Sequence, residues 1–461
     1  MPPLNATTDH LNILKRIWYS IFPGTYQKPI DRQRYRNLFN SLFLHFRPRV
    51  VPQPTLKFTL TWGLGGMAAV LVTVLFVTGL MMKIIYQPVP ERAYASIIHL
   101  QETVLFGQLI RNLHHWSGNG LLLVVLLHLL RVFFSGAFHK PRQFNWVIGL
   151  LMFILVLGSN FSGYLLPWDQ LAYWAITICT GMLEYIPGIG VGLQKVIRGG
   201  ADIGPATLSN FYAIHTALIP AGLIILMPFH FWRVRKAGGL VIPRSPRQDP
   251  AERGETVAAI PNLIVRELVV ALVLVAVLMV LAVTFNAPLE AKANPGLSPN
   301  PTKAPWYFAG IQELLLHFHP LFAVLVIPLT ALAALMCLPY LQYDTDTAGV
   351  WFCSDRGRQM SLAAVVVALI VAPLGILSDE FIIDFAVWLP SMPTIISNGL
   401  IPAVVALAGV IGFYWLMKRK FRATNNETIQ SVFILLLVAF IILTVTCVWF
   451  RGSGMALMWP F

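Results

Sequence analysis

Long apolar runs broken by clusters of charge dominate the chain. Stretches free of Asp, Glu, Lys and Arg occupy 58 to 82, 112 to 130, 144 to 168, 203 to 232, 268 to 289, 314 to 343, 359 to 378, 385 to 417 and 428 to 450. Each reaches the roughly 20 residues that a helix needs to cross a bilayer. The pattern therefore predicts nine transmembrane helices and an all-α integral membrane protein. The run at 359 to 378 carries the weakest signal, because it is short and contains Pro373. Composition agrees: 57% of the 461 residues are hydrophobic and 11% charged, against roughly 25% charged in a soluble domain.

The net charge of +13 follows the loops and does not indicate a nucleic-acid partner. Lys15, Arg16, Lys28, Arg32, Arg34, Arg36, Arg47, Arg49 and Lys57 precede the first run, which places the N-terminus in the cytoplasm. Lys140 and Arg142, the segment from Arg233 to Arg253, and Lys418 to Arg422 fall on the same side. The near-neutral loops 167 to 202 and 287 to 313 fall outside, and nine crossings put the C-terminus outside too. The loop 344 to 358 supports neither side. MPPLNATTDH lacks the charged start and apolar core of a secretory signal. Cys179, Cys337, Cys353 and Cys447 form no CxxC or CxxCH, which implies neither a disulfide framework nor attached haem c.

Two of the apolar runs carry a histidine near each end. In RNLHHWSGNGLLLVVLLHLLR, His114 and His128 are 14 residues apart, and in FYAIHTALIPAGLIILMPFHFWR, His215 and His230 are 15 apart. At 100° per residue these pairs return to within about 40° and 60° of one helix face after roughly 21 to 22 Å. Pro220 and Pro228 can alter the second phase. Both helices run from outside to inside, so His114 lies level with His215 and His128 with His230. A lone membrane histidine is more often a hydrogen-bonding core residue. Four at two matched depths form two bis-imidazole sites, which suit haem iron better than zinc with its four protein ligands. Gly65 and Gly79, and Gly149 and Gly163, repeat the 14-residue period on two further helices. They give a flat ring room against the backbone, although small-residue packing alone also uses glycine. Arg111 and Arg131, three residues from a histidine, serve either haem propionates or the membrane interface.

The strings RNLHHWS, LHLLRVF, GYLLPWDQLAYWA, FYAIHT and APWYFAGIQELL resemble the cytochrome b subunit of quinol:cytochrome c or plastocyanin oxidoreductases, the cytochrome bc complexes, over roughly residues 35 to 380. The 15-residue spacing and PWDQ are similar to the chloroplast and cyanobacterial form. In that form the C-terminal portion is a separate subunit, and a cysteine before the first-span glycines anchors an extra haem. Here WGLGG places Gly63 at that position and the chain continues into the second portion, so the resemblance implies a fused chain without the extra haem. It implies a basic segment at 1–57, a di-haem four-helix bundle at 58–236, a cytoplasmic linker at 237–263, a second portion at 264–380 and extra C-terminal helices at 381–461. It also implies two b-type haems, a Rieske iron-sulfur protein and a c-type cytochrome as partners, a homodimer, and a bacterial cytoplasmic membrane.

Such complexes oxidise quinol near the outer face, sending one electron to the Rieske protein and one inward across the haems to a second quinone site. Residues 163 to 190 read after Pro167 as an amphipathic surface helix, and 304 to 315 would face it. The family's Pro-Glu-Trp-Tyr string supplies a glutamate as proton acceptor, and here Pro305 stands in its place before Trp306 and Tyr307. Glu313, about two turns on, is the first replacement, followed by Tyr307, Asp169, Glu184 and water; it is equally read as an interfacial charge. Loss of the glutamate accompanies low-potential quinones in the family, so menaquinol is the expected substrate. Lys236 and Arg235 serve the inner quinone site or simply mark the inner face. His10, His45, His99, His115, His139, His317 and His319 receive no ligand role, and 381–461 shows no readable chemistry. The rivals are a di-haem anchor linking quinone to another oxidoreductase, which has no use for WYFAG, and a transporter using histidines as a proton relay.

Overall fold

The computed structural model describes residues 13–21, 49–245 and 255–459. Among them, nine helices are long and apolar enough to cross a membrane: Leu64–Lys83, Gly107–Phe134, Gln143–Leu165, Pro205–Lys236, Ala259–Thr284, Phe322–Tyr340, Asp355–Phe381, Ile396–Lys420 and Asn425–Phe450. The chain is an all-α, multi-pass membrane protein. Helix ends depart from the uncharged runs because backbone hydrogen bonding, and not absence of charge, defines a helix. The fifth span begins early and takes in Arg266 and Glu267. The run 314 to 343 proves to be two elements: a Trp306–His317 helix ends where Phe318 turns extended (φ −132°), and the sixth span follows. The seventh span runs for 27 residues with Pro373 inside it, so the weakest run is among the longest helices.

Contacts between loops fix two ends. At one, which is rich in lysine and arginine, Val50–Pro52 pairs antiparallel with Thr256–Ala258. There Arg131 donates to the Leu60 carbonyl (2.8 Å) and Arg142 to that of Ala237 (3.1 Å). At the other end Tyr86 donates to the Leu166 carbonyl (2.6 Å), and Lys303 to that of Val448 (2.9 Å). Successive spans therefore alternate in direction. Below, these are the basic end and the Trp306 end.

The first five spans share one core, in which Leu64, Leu71, Leu121, Leu122, Val156, Leu223 and Leu278 are buried. The seventh to ninth spans share another, with Met360, Ala364, Phe413, Met417 and Ile434. Aromatic packing joins the two at the basic end, where Phe133 meets Phe433 with ring centroids 4.0 Å apart. Gly63 opens the first span at φ +67°, a left-handed backbone that glycine adopts without strain.

Candidate functional site

The four histidines converge in pairs inside the first core. His114 and His215 bring their ring centroids to 6.1 Å with planes at 70°, and His128 faces His230 one level below. The unequal spacings of 14 and 15 meet because Ile214–Leu218 is a single π turn. A π turn takes up one extra residue, so fifteen residues on the fourth span cover the rotation that fourteen cover on the second. Pro220 sets it there: it has no N–H to offer, and the Ile219 N–H bonds back to Ile214. Pro228 lies within the helix that follows.

Hydrogen bonds at the upper pair aim the rings. Thr78 spends its hydroxyl proton on the Val74 carbonyl (2.7 Å), so its oxygen accepts from His114 Nδ1 (2.9 Å). His215 Nδ1 donates to the Ser159 carbonyl (3.0 Å), with Ser162 Oγ at 3.3 Å. In both rings Nδ1 carries the proton and Nε2 keeps its lone pair, the arrangement of a metal-ligating imidazole held by an outer partner. Sequence reasoning missed Thr78 and Ser162, yet a signal exists. Each directly precedes a glycine of the repeat, whereas Leu64 and Ile148 precede the glycines of the lower pair.

Each glycine faces one histidine. A Cβ at Gly163 would lie 2.5 Å from His215 Cε1, and one at Gly79 would lie 3.1 Å from His114 Cε1. At Gly65 and Gly149 the distances to His128 and His230 are 3.6 Å. Toward the histidine itself, Gly163 leaves no room for a side chain, Gly79 leaves little, and Gly65 and Gly149 leave an ordinary contact. Among the described residues, no three His, Cys, Asp or Glu side chains converge to hold a metal ion. Two imidazoles per level instead suit an ion whose remaining ligands come from a macrocycle.

The arginines divide. Arg131 gives Nε to the Leu60 carbonyl, while its Nη2 is buried with no hydrogen-bond partner among the described residues. That orphaned donor, one turn from His128, fits an anionic substituent such as a haem propionate. Arg111 is committed elsewhere. It donates to the carbonyls of Ala287 (2.8 Å) and Pro288 (2.6 Å) and so anchors the loop after the fifth span. Lys236 Nζ lies 4.9 Å from the centre of the Trp232 ring, a cation–π contact at the basic end.

A family model described as cytochrome b/b6/petB matches residues 51–238, the segment that holds all four histidines. Cytochrome b6 of Cyanidium caldarium is 41% identical over 174 residues, covering 38% of this chain and 81% of that protein. Cytochrome b6 of Mastigocladus laminosus is 39% identical over 175 residues, covering 38% and 81%. The chain belongs to the cytochrome b/b6 family. A chain from a structure entitled "Hyperthermophilic respiratory Complex III" shares the fold beyond the matched segment, with a TM-score of 0.61 and 21% identity over 90% of this cytochrome b and 96% of that chain.

At the Trp306 end the two strings read from sequence do meet. Pro305 caps the Trp306–His317 helix through its carbonyl, to which Phe308 and Ala309 donate. Trp306 donates to Asn119 of the second span (2.8 Å). Tyr307 packs against the core of the first five spans, and burial, with the charges of Tyr164 and Cys179 adding to it, raises its phenol well above the ordinary range. Phe308 meets Phe161 edge-on at 5.6 Å. Asp169 has structural duties: its carboxylate accepts from the N–H groups of Ala172 (2.9 Å) and Glu290 (3.1 Å), capping the Gln170–Gly181 helix and pinning the loop against it. Glu184 accepts from Gln194 (2.7 Å).

Glu313 is neither an interfacial charge nor a free base. It is fully buried and paired with Arg451, whose Nη2 lies 2.7 Å from Oε1 and whose Nε lies 3.1 Å from both oxygens. Arg451 Nη1 continues to Glu380 (2.8 Å). His317 bridges Asp379 (2.6 Å) and Glu313 (3.3 Å). Burial opposes the Glu313 charge, but hydrogen bonds from His317 and Arg451 outweigh it and hold the carboxyl below its usual range. Burial likewise opposes a charged His317, yet bonds to Asp379 and Glu313 raise it to about 9. At neutral pH the carboxylate is ionised and already occupied, so it is a poor proton acceptor. Sequence gave no hint of this cluster, because its members come from three segments far apart in the chain.

Proposed function

We propose that the chain is the quinol-oxidising, electron-transferring subunit of a cytochrome bc complex, taking quinol at the Trp306 end and delivering electrons to quinone at the basic end. The observation that carries this is the meeting of two histidine pairs against four facing glycines in a chain of the cytochrome b/b6 family. Held by His114 with His215 and by His128 with His230, two b-type haems would supply one-electron redox chemistry at two depths. Thr78 and Ser159 fix the tautomers of the upper ligands, and Arg131 offers a charged donor beside the lower pair. The apolar core around both levels excludes water.

At the Trp306 end, Tyr307 offers a neutral hydroxyl to orient a quinol oxygen or a water. With Pro305 unable to accept a proton, Glu313 held by Arg451, and Asp169 and Glu184 hydrogen-bonded in place, water ordered by Tyr307 and Tyr164 takes the proton out. This arrangement supports menaquinol as the substrate. The distribution of lysine and arginine supports a cytoplasmic basic end in a bacterial membrane. The family supports a Rieske protein and a c-type cytochrome as partners, and a homodimer. The test is anaerobic addition of menaquinol to the purified complex with an oxidised cytochrome acceptor. The reading expects haem reduction coupled to acceptor reduction, and Tyr307→Phe should slow both while leaving the haem spectra intact. Haems that stay oxidised under menaquinol and ubiquinol alike would refute it.

A further inference from the structure

We propose that Arg451 is a positioning residue for quinol oxidation: by clasping Glu313 it holds the Trp306–His317 helix in place, so that the C-terminal extension acts on the reaction. This rests on the quinol-site reading above. The helix lies between two bodies. One face carries Tyr307 and Phe308 toward the bundle, where Tyr307 packs against the core of the first five spans and Phe308 meets Phe161. The other, together with the loop that leads into the helix, is bound to the extension. Lys303 donates to the Val448 carbonyl, the Gln312 side chain accepts from Cys447 Sγ (3.5 Å), and Asn300 accepts from the Gly454 N–H (2.6 Å). At Gly310 the approach is so close that a Cβ would come within 2.7 Å of Thr444 Oγ1 and 2.8 Å of the Phe440 ring.

Arg451 closes this face. Its donors are taken by Glu313, by Glu380 at the end of the seventh span and by the Met455 carbonyl (3.0 Å), and its side chain is 1% exposed against 0% for Glu313. A two-pronged guanidinium fixes a carboxylate in direction as well as distance. Three elements that do not adjoin in sequence are thereby held in one register. The place of Tyr307 against the bundle is set from behind, by residues more than a hundred positions further along the chain.

The experiment compares Arg451→Gln, Arg451→Lys and the double variant Arg451→Met with Glu313→Leu in the full complex, reading kcat and KM for quinol beside haem content and midpoint potentials. Arg451→Gln leaves a buried carboxylate without its partner and lets the helix shift. Displacements near 1 Å cost on the order of 10²-fold, so kcat/KM should fall by about that factor with both haem spectra and potentials unchanged. Arg451→Lys keeps the charge but loses the fork, and should fall between the two. The double variant removes both buried charges and fills their space with apolar groups, a replacement that proteins tolerate well, and should regain most of the rate. Parental kcat/KM in Arg451→Gln would overturn the proposal. So would a double variant as slow as the single one, which would make the Glu313 carboxylate itself the reacting group. Haem loss in proportion to rate would also overturn it, by showing that Arg451 supports the whole bundle. A parent complex that does not oxidise quinol would instead refute the quinol-site reading.

Discussion

His215→Ala should remove one haem from each chain and leave the other, and His114→Ala should remove the same one. The two rings face each other at one level, each with Nδ1 engaged in a hydrogen bond that leaves Nε2 its lone pair. An axial ligand lost there has no stand-in. His115 is adjacent in sequence but accompanies Asn119, 3.3 Å away, and packs edge-on against Trp116. His128→Ala and His230→Ala should remove the second haem and spare the first. Haem quantitation per chain reads this directly, as a drop from two to one in each of the four variants. Equal loss in His115→Ala, or two haems kept without His128, would show that the pairing is wrong.

Gly163→Ala should expel the upper haem, whereas Gly149→Ala should retain the lower one. The two glycines sit 14 residues apart on one helix and face equivalent histidines, yet one added methyl meets different surroundings. At 163 it would stand 2.5 Å from His215 Cε1 and 3.0 Å from Nδ1. The ring cannot swing away without breaking its bond to the Ser159 carbonyl. At 149 the methyl stands at 3.6 Å, an ordinary van der Waals contact. Gly79→Ala, at 3.1 Å, should lie between. Haem content and the absorbance bands of each variant decide the matter; equal retention in Gly163→Ala and Gly149→Ala would mean that the glycine period reflects helix packing alone.

The nine apolar helices among the described residues were legible because lipid imposes one rule on every span, and an uncharged stretch of sufficient length satisfies it. The same rule misplaced ends. Arg266 and Glu267 lie inside a helix that the uncharged run excludes, and the run 314 to 343 conceals the break at Phe318. The histidine and glycine periods were legible too, since both are local to single helices. The one-residue mismatch between 14 and 15 was not, because a π turn leaves no mark in composition; Pro220 was its only trace. Least legible was Glu313. Its distance from Pro305 along a helix suggested a replacement base, but its surroundings are set by Arg451, which the C-terminal extension brings to it, and, through Arg451 and His317, by Glu380 and Asp379 at the end of the seventh span. Arg111 shows the same limit, being three residues from a candidate ligand in sequence and bound to a distant loop in space.

The most direct measurement is the reduced-minus-oxidised absorbance spectrum of the purified chain, with haem quantified per polypeptide. Two histidine pairs at two depths predict two b-type centres per chain, distinguishable in a redox titration because their surroundings differ: Thr78 and Ser159 hold the Nδ1 atoms of the upper pair, and Arg131 stands near the lower one. A chain without haem bands, or with a single centre, would contradict the account.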